Sequence, residues 1–147
     1  MRVAFGTDER TTLTDRVQTL LAERGHVVVL VADGEAWPDV GRAVGEAVAS
    51  GSADLGIVCC WTGTGVSIAA NKVRGVRAAL CTDAATATGA RRWNDANVLA
   101  MGLRLTSEAT AAEMIDAFLG GALDPDEGDT IGRVERDAST GPRRLPA

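Results

Sequence analysis

The chain has 147 residues, the size of one domain, and it contains one histidine (His26), one lysine (Lys72) and no tyrosine. This composition excludes imidazole relays, histidine-rich metal sites and tyrosine general acids, and it restricts Schiff-base chemistry to Lys72. The net charge is −5, and the scattered arginines do not form the basic surface that nucleic-acid binding requires. Apolar runs fall far short of the roughly 20 residues that cross a bilayer. We therefore expect a cytoplasmic domain with neither nucleic acid nor membrane as a partner.

Short apolar runs alternate with segments of helical period along the chain. The predicted strands are residues 2–6, 27–31, 55–60, 76–80 and 98–101, and the predicted helices are 11–23, 38–50, 66–72, 83–92 and 107–119. Residues 27–31 form a continuous run of Val and Leu, which is typical of a strand buried on both faces.

Five strands separated by helices predict parallel pairing with right-handed crossovers. The expected fold is a three-layer α/β/α sandwich with a Rossmann-like, five-stranded parallel sheet. Ligands of such folds bind at the carboxyl ends of the strands, which here carry residues 8–9, 59–65, 81–83 and 101–104. We expect one domain over residues 1–136 and a disordered Gly/Pro/Arg tail over 137–147.

The loop after the third predicted strand is the most informative segment. Two glycines alternate with two threonines between a strand and a helix, so that backbone amides converge on one spot suited to an anion or a developing oxyanion. A thiol beside that positive pole makes Cys60 a candidate base or nucleophile, although a small buried core residue is the alternative. Cys59 and Cys81 lack such a loop and are interpreted as core residues. The spacing fits neither a dinucleotide fingerprint nor a phosphate-binding P-loop, and no cofactor or metal is expected.

Four motifs occur in a specific order along the chain. They are Thr62-Gly-Thr-Gly65, Ser67-Ile-Ala-Ala-Asn-Lys72, Gly75-Val-Arg-Ala-Ala and Asn94-Asp-x-Asn-Val-Leu-Ala-x-Gly-x-Arg104. Together they resemble the ribose-5-phosphate isomerase B / galactose-6-phosphate isomerase family, and the resemblance spans residues 3–136. It implies an α/β sandwich that forms a homodimer or homotetramer with active sites shared between subunits. It also implies metal-free interconversion of aldose and ketose phosphates, with a small sugar or sugar phosphate as the partner.

The resemblance also assigns roles to individual residues. Cys60 falls on the family's catalytic cysteine, the base that removes the C2 proton, while the family's alternative glutamate base falls on Val66. Thr62 matches the residue that assists proton transfer at the substrate oxygens. The implied substrate-binding residues are Asp8, Glu9, Trp61, Thr62, Gly63, Thr64, Gly65, Trp93, Asn94, Arg104 and Arg133.

The sequence departs from the family pattern at positions that take part in this chemistry. Glu9 and Trp93 occupy the two family histidine positions, so Glu9 is either a replacement acid or a solvated carboxylate, and Trp93 is interpreted as a pocket wall. Asp129 replaces the earlier arginine of the phosphate clamp, where a carboxylate would repel a phosphate dianion. Lys72 is interpreted as a cap of the short helix and His26 as structural.

Three functions remain open. The first is a divergent sugar isomerase or epimerase that acts through a cis-enediolate with Cys60 as base and is poor on ribose 5-phosphate. The second is ordinary ribose-5-phosphate isomerase activity, with Glu9 replacing histidine and Arg91, Arg92 or Arg136 supplying the missing phosphate contact. The third is a non-catalytic sugar-binding or regulatory module.

Overall fold

The computed structural model describes residues 1–136, so the predicted disordered tail over 137–147 lies outside the described residues. The strands are β1 (Arg2–Thr7), β2 (Val27–Asp33), β3 (Leu55–Cys60), β4 (Ala78–Leu80) and β5 (Val98–Gly102). The helices are α1 (Thr12–Glu23), α2 (Trp37–Ala49), α3 (Thr64–Ala70), α4 (Ala84–Asn94), α5 (Glu108–Gly120) and α6 (Gly128–Arg136), with a 3-10 turn at Pro125–Glu127 before α6.

All strands are parallel and lie in the order β2-β1-β3-β5-β4. Helices α1, α4 and α5 pack on one face of the sheet, and α2 and α3 pack on the other. Side chains of β1, β3 and β5 alternate between these two aliphatic layers, which is why the three central strands are almost wholly buried. The predicted three-layer α/β/α sandwich is confirmed.

The second strand corrects one prediction. Its apolar run indicated a strand buried on both faces, but β2 lies at the end of the sheet and pairs with β1 alone. As a result, Val27 is 60% exposed and Leu30 is 49% exposed. The composition of the strand does not distinguish an edge position from a central one, because strand order is decided by the crossovers.

Some element boundaries also differ from the predictions. Helix α3 begins at Thr64, two residues before the predicted start, because Gly63 turns the chain with a φ of +77°. Strand β4 begins at Ala78 rather than at residue 76. Helix α6 was not predicted; it contributes little to the core, since Val134 is 63% exposed.

The functional candidates lie at two opposite edges of the sheet. The carboxyl edge is where the strands end: the register places Thr7 beside Cys59 and Cys60 beside Gly102, so the last residues of β1, β3 and β5 form a row. The amino edge is where the strands begin, and α4 and α6 both end there. Within residues 1–136, no helix combines the length and the apolarity needed to cross a membrane.

Candidate active site

The centre of the carboxyl edge is a buried thiol. Cys60 is the last residue of β3, and its side chain is 5% exposed beneath the start of α3. The Gly63 backbone N–H donates a hydrogen bond to its Sγ atom at 3.2 Å. The sulfur is therefore held as a hydrogen-bond acceptor beneath the turn.

The turn after Cys60 is fixed by backbone geometry. Gly63 has a positive φ, and a Cβ atom there would lie 2.6 Å from Leu80 Cδ1 and 2.8 Å from the Gly102 nitrogen. Only glycine combines a positive φ with such close neighbours without strain. Backbone bonds from Leu103 N to Cys60 O and from Arg104 N to Trp61 O, both 2.9 Å, join the turn to the segment after β5.

The two threonines of the turn contact each other. The Oγ1 atoms of Thr62 and Thr64 are 2.7 Å apart, and both side chains are exposed to solvent. Trp37 packs on the turn from α2, since a Cβ atom on Gly65 would lie 2.9 Å from its ring. A paired hydroxyl beside a buried thiol can pass a proton between neighbouring substrate oxygens.

Two carboxylates lie next to this turn. The Asp8 N–H donates to Cys59 O at 3.3 Å, which places Asp8 directly after β1 and beside Cys60. Its Oδ1 atom is buried without a hydrogen-bond partner in the described chain. Burial first, and then the charge of Glu9, raises the pKa of the Asp8 carboxyl. Glu9 is exposed, and its carbonyl accepts a hydrogen bond from Thr7 Oγ1 at 2.7 Å.

A small, mostly apolar cavity of about 150 Å³ opens on the same edge. Its walls include Trp61, Thr62, Leu80, Arg104 and Leu105. Trp61 is 55% exposed and Leu105 is 83% exposed. The predicted residues Asp8, Glu9, Cys60, 61–65 and Arg104 thus share one edge of the sheet.

The remaining predicted residues lie at the amino edge. Trp93 and Asn94 end α4 just before β5 begins, and Arg133 lies on α6, which is tied to the residue before β4 by an Arg77–Glu135 ion pair. The six residues of β3 separate the two edges by roughly 17 Å. Within one chain, a small sugar phosphate cannot touch both groups. The interpretation of Trp93 as a pocket wall stays a prediction, and it requires a site that combines two subunits.

The amino edge has a groove of its own, with a volume of about 670 Å³. Its lining includes Lys72, Arg74, Arg77, Asn94 and Glu135. Trp93 is 54% exposed and packs on Gly89 of its own helix. Asn94 therefore faces an open groove, which a second molecule of this chain or a ligand can enter.

Other predicted roles are also settled by contacts. Cys59 is a core residue, as expected, and burial raises the pKa of its thiol far above the usual range. Burial likewise raises the pKa of Cys81. Lys72 follows α3, and its backbone N–H donates a hydrogen bond to Ala69 O at 3.2 Å, so its contact with the end of the helix is made by the backbone. His26 precedes β2 at the far side of the sheet from Asn94.

No group of three or more His, Cys, Asp or Glu side chains within residues 1–136 could hold a metal ion. Arg91 and Arg92, the substitutes considered for the phosphate clamp, are engaged elsewhere. Arg91 donates to Ala96 O at 2.7 Å, and Arg92 pairs with Asp124 at 3.1 Å.

Two contacts at these edges were not predicted from the sequence. Trp37 covers Gly65, but its position on α2 gave no signal that it would reach the turn. Arg77 lies in a motif that carries the family resemblance, yet its partners Asp95 and Glu135 are 18 and 58 residues away along the chain. Neither contact can be inferred from local spacing.

Comparison with known proteins places the chain among sugar-phosphate isomerases. It is 40% identical over 127 residues to ribose-5-phosphate isomerase B of Escherichia coli, covering 81% of this chain and 83% of the relative. It is 42% identical over 108 residues to galactose-6-phosphate isomerase subunit LacB of Clostridium acetobutylicum, covering 71% of this chain and 62% of that relative.

Solved structures agree with these relatives. The ribose-5-phosphate isomerase B of Clostridium thermocellum superposes with a TM-score of 0.87 at 36% identity, covering 93% of this chain and 97% of that one. The type B enzyme of Trypanosoma cruzi superposes with a TM-score of 0.88 at 33% identity, covering 95% and 99%. The family profile described as Ribose/Galactose Isomerase matches residues 3–136. The chain therefore belongs to the ribose/galactose isomerase family.

Proposed function

We propose that this protein is a sugar-phosphate aldose–ketose isomerase that uses Cys60 as its base and acts poorly on ribose 5-phosphate. The observation that carries this proposal is the placement of Cys60. It is a thiol at the end of a central strand, bonded through Sγ to a backbone amide and adjacent to paired hydroxyls and a carboxylate.

The proposed chemistry is a proton transfer between adjacent carbons. The Cys60 thiolate removes the proton from C2 of the open-chain aldose, and the electron pair of that C–H bond forms the C1=C2 bond of a cis-enediolate as the C1=O π pair moves onto O1. Thr62 passes a proton between the O1 and O2 oxygens, and backbone amides of the turn stabilise the developing charge. The Cys60 thiol then returns its proton to C1, which yields the ketose.

The proposed substrate preference rests on charge. Asp8 and Glu9 place two carboxylates beside Cys60, and Arg104 is the one arginine among the predicted residues of this edge. On α6, Asp129 lies in the first turn, where the family pattern has an arginine. These carboxylates repel a phosphate dianion, so we expect a weak affinity for ribose 5-phosphate and a better fit for another sugar.

The proposed site needs a second copy of the chain. Trp93, Asn94 and Arg133 lie at the edge opposite Cys60, so in this proposal they complete the site of a partner subunit. Exposed apolar side chains near the carboxyl edge, such as Trp61 and Leu105, suit burial between subunits.

The test is solvent isotope incorporation. D-ribose 5-phosphate, D-galactose 6-phosphate, D-erythrulose 4-phosphate and the less charged, unphosphorylated D-ribose are incubated with the protein in D2O, and deuterium at the carbon next to the carbonyl is followed by NMR. We expect incorporation into at least one sugar other than ribose 5-phosphate. Cys60→Ala should lower it by about a thousandfold or more.

Cys59→Ala is the matched control, because Cys59 is the chain neighbour of Cys60 but faces the other layer of the core. It should lower Tm and leave kcat within about threefold. Efficient, Cys60-dependent turnover of ribose 5-phosphate would overturn the substrate preference. Absence of incorporation into the whole panel would overturn catalysis and leave a sugar-binding module.

A further inference from the structure

The amino edge contains an arginine to which the proposed chemistry assigns no role. The Arg77 side chain is 19% exposed, and all three of its guanidinium nitrogens donate hydrogen bonds. Nε donates to Asp95 O at 2.8 Å, Nη2 to Asp95 Oδ2 at 2.8 Å, and Nη1 to Glu135 Oε1 at 3.0 Å. One planar group therefore joins the end of α4 to α6.

The contact with Asp95 holds a strained turn. Asp95 follows Asn94 and has a φ of +46°; among residues 1–136 it is the one non-glycine residue with a positive φ. Such a conformation persists where surrounding contacts hold it. Arg77 binds both the carbonyl and the carboxylate of Asp95, while Arg91 lies 3.6 Å from its other oxygen. Asn94 is the last residue of α4 and lies directly before this turn.

The contact with Glu135 holds α6. This helix is mostly exposed, and the Arg77–Glu135 pair is the single ion pair that joins it to the remainder of the described chain. Glu135 lies two residues after Arg133 on α6. Losing the pair frees the helix that carries Arg133.

We propose that Arg77 is a positioning residue, which holds Asn94 and Arg133 together so that both meet a sugar phosphate in a partner subunit's site. This inference rests on the proposed function. Arg77 itself touches no substrate, because its three nitrogens are all occupied by the protein. It adds a direct link between the turn after α4 and α6, beside the contact of Arg92 with Asp124 that precedes α6.

The first test compares Arg77→Met with Arg24→Met. Arg24 is the control because it also makes two side-chain bonds to a carboxylate, that of Asp116, but does not contact Asp95 or α6. With the best sugar of the isotope panel, Arg77→Met should raise KM about tenfold and change kcat by less than about threefold, because uniform binding is lost rather than transition-state binding. Arg24→Met should leave both constants within about twofold.

The second test uses the strained turn. Glycine adopts a positive φ without strain, whereas alanine does not. Asp95→Gly should therefore raise KM less than Asp95→Ala, although both variants remove the carboxylate. A merely structural contribution of Asp95 would lower Tm in both variants and leave KM unmoved.

A third measurement separates this inference from the proposed function. Hydrogen–deuterium exchange of the full-length protein should quicken in residues 91–97 and 128–136 in Arg77→Met and stay unchanged there in Arg24→Met. An unchanged KM in Arg77→Met, or equal KM values for the two Asp95 variants, overturns the positioning role while the isomerase assignment stands. If the wild-type protein neither binds nor turns over any sugar of the panel, both proposals fall.

Discussion

The two edges of the sheet are built by different physical means. At the carboxyl edge, Cys60 and Gly63 are buried and the turn is held by backbone hydrogen bonds. At the amino edge, Arg77, Asp95 and Glu135 are held by ion pairs near the surface. The first edge is positioned by the sheet itself, whereas the second depends on side chains that link separate segments.

This difference matches what each edge does in the proposed reaction. A base that removes a carbon-bound proton must be held within tenths of an ångström, and a strand end with a glycine turn provides that precision. A contact with the charged end of a substrate tolerates more movement. Ion pairs near the surface, typically worth about 1 kcal/mol or less each when exposed, suffice for it.

The strongest test of this contrast substitutes one residue at each edge, in two separate variants that are then mixed. Cys60→Ala and Arg133→Ala should each abolish or strongly lower kcat/KM as pure proteins. If the protein forms the proposed shared-site dimer, subunit exchange of an equal mixture makes half of the dimers mixed, and each mixed dimer has one intact site. Activity should therefore return to about a quarter of the wild-type value.

Native mass spectrometry of the exchanged mixture is the control for this experiment, since it counts mixed dimers directly. If mixed dimers form and activity does not return, the two edges do not meet across a subunit interface. Asn94 and Arg133 would then have no part in the site of Cys60.

The next expected effect concerns stability at the carboxyl edge. Gly63→Ala adds a Cβ that meets Leu80 and the Gly102 backbone and forces alanine into a positive φ. We expect a loss of roughly 3 kcal/mol in the free energy of unfolding, from strain and overpacking together. Urea unfolding measures it.

Gly25→Ala is the matched control, because Gly25 has a similar φ of +76° with no atom within 4 Å of the added Cβ. It should cost about 1 kcal/mol, the strain alone. Equal losses in both variants would show that the turn after Cys60 is not packed as tightly as its contacts indicate.

The smallest expected effect is a pH dependence of opposite sign at the two edges. Burial and Glu9 raise the pKa of Asp8, so its stabilising contribution is complete below its unfolded pKa, about 4, and is lost as pH rises through the folded pKa. Hydrogen bonds from the Asp126 N–H and from Arg92 lower the pKa of Asp124. Its contribution is present above about pH 4 and is lost as pH falls through the folded pKa.

The Tm of Asp8→Asn, measured relative to that of the wild-type protein, should therefore rise by a small amount between pH 4 and pH 7. Asp124→Asn should be less stable than the wild-type protein at pH 7, and that deficit should shrink below about pH 4. Thermal melts from pH 3 to 8 measure both trends. Parallel trends for the two variants would contradict the contrast between the edges.

The sequence by itself determined the fold class and the turn after Cys60. Alternation of apolar runs with helical segments implies parallel strands, because each crossover returns the chain to the same end of the sheet. The Gly-Thr pattern between a strand and a helix indicates a site at that strand's carboxyl end. Both are local signals that residues close in sequence carry.

Tertiary structure alone decided how the predicted residues are divided between the edges. Asn94 and Cys60 belong to one family pattern, but the direction of α4 places them at opposite edges of the sheet. Local sequence patterns also do not predict the exposure of β2, the contact of Trp37 with Gly65 or the hydrogen bonds of Arg77 to Asp95 and Glu135. Each depends on segments that are distant in sequence, and their meeting is fixed by strand order and helix packing rather than by local spacing.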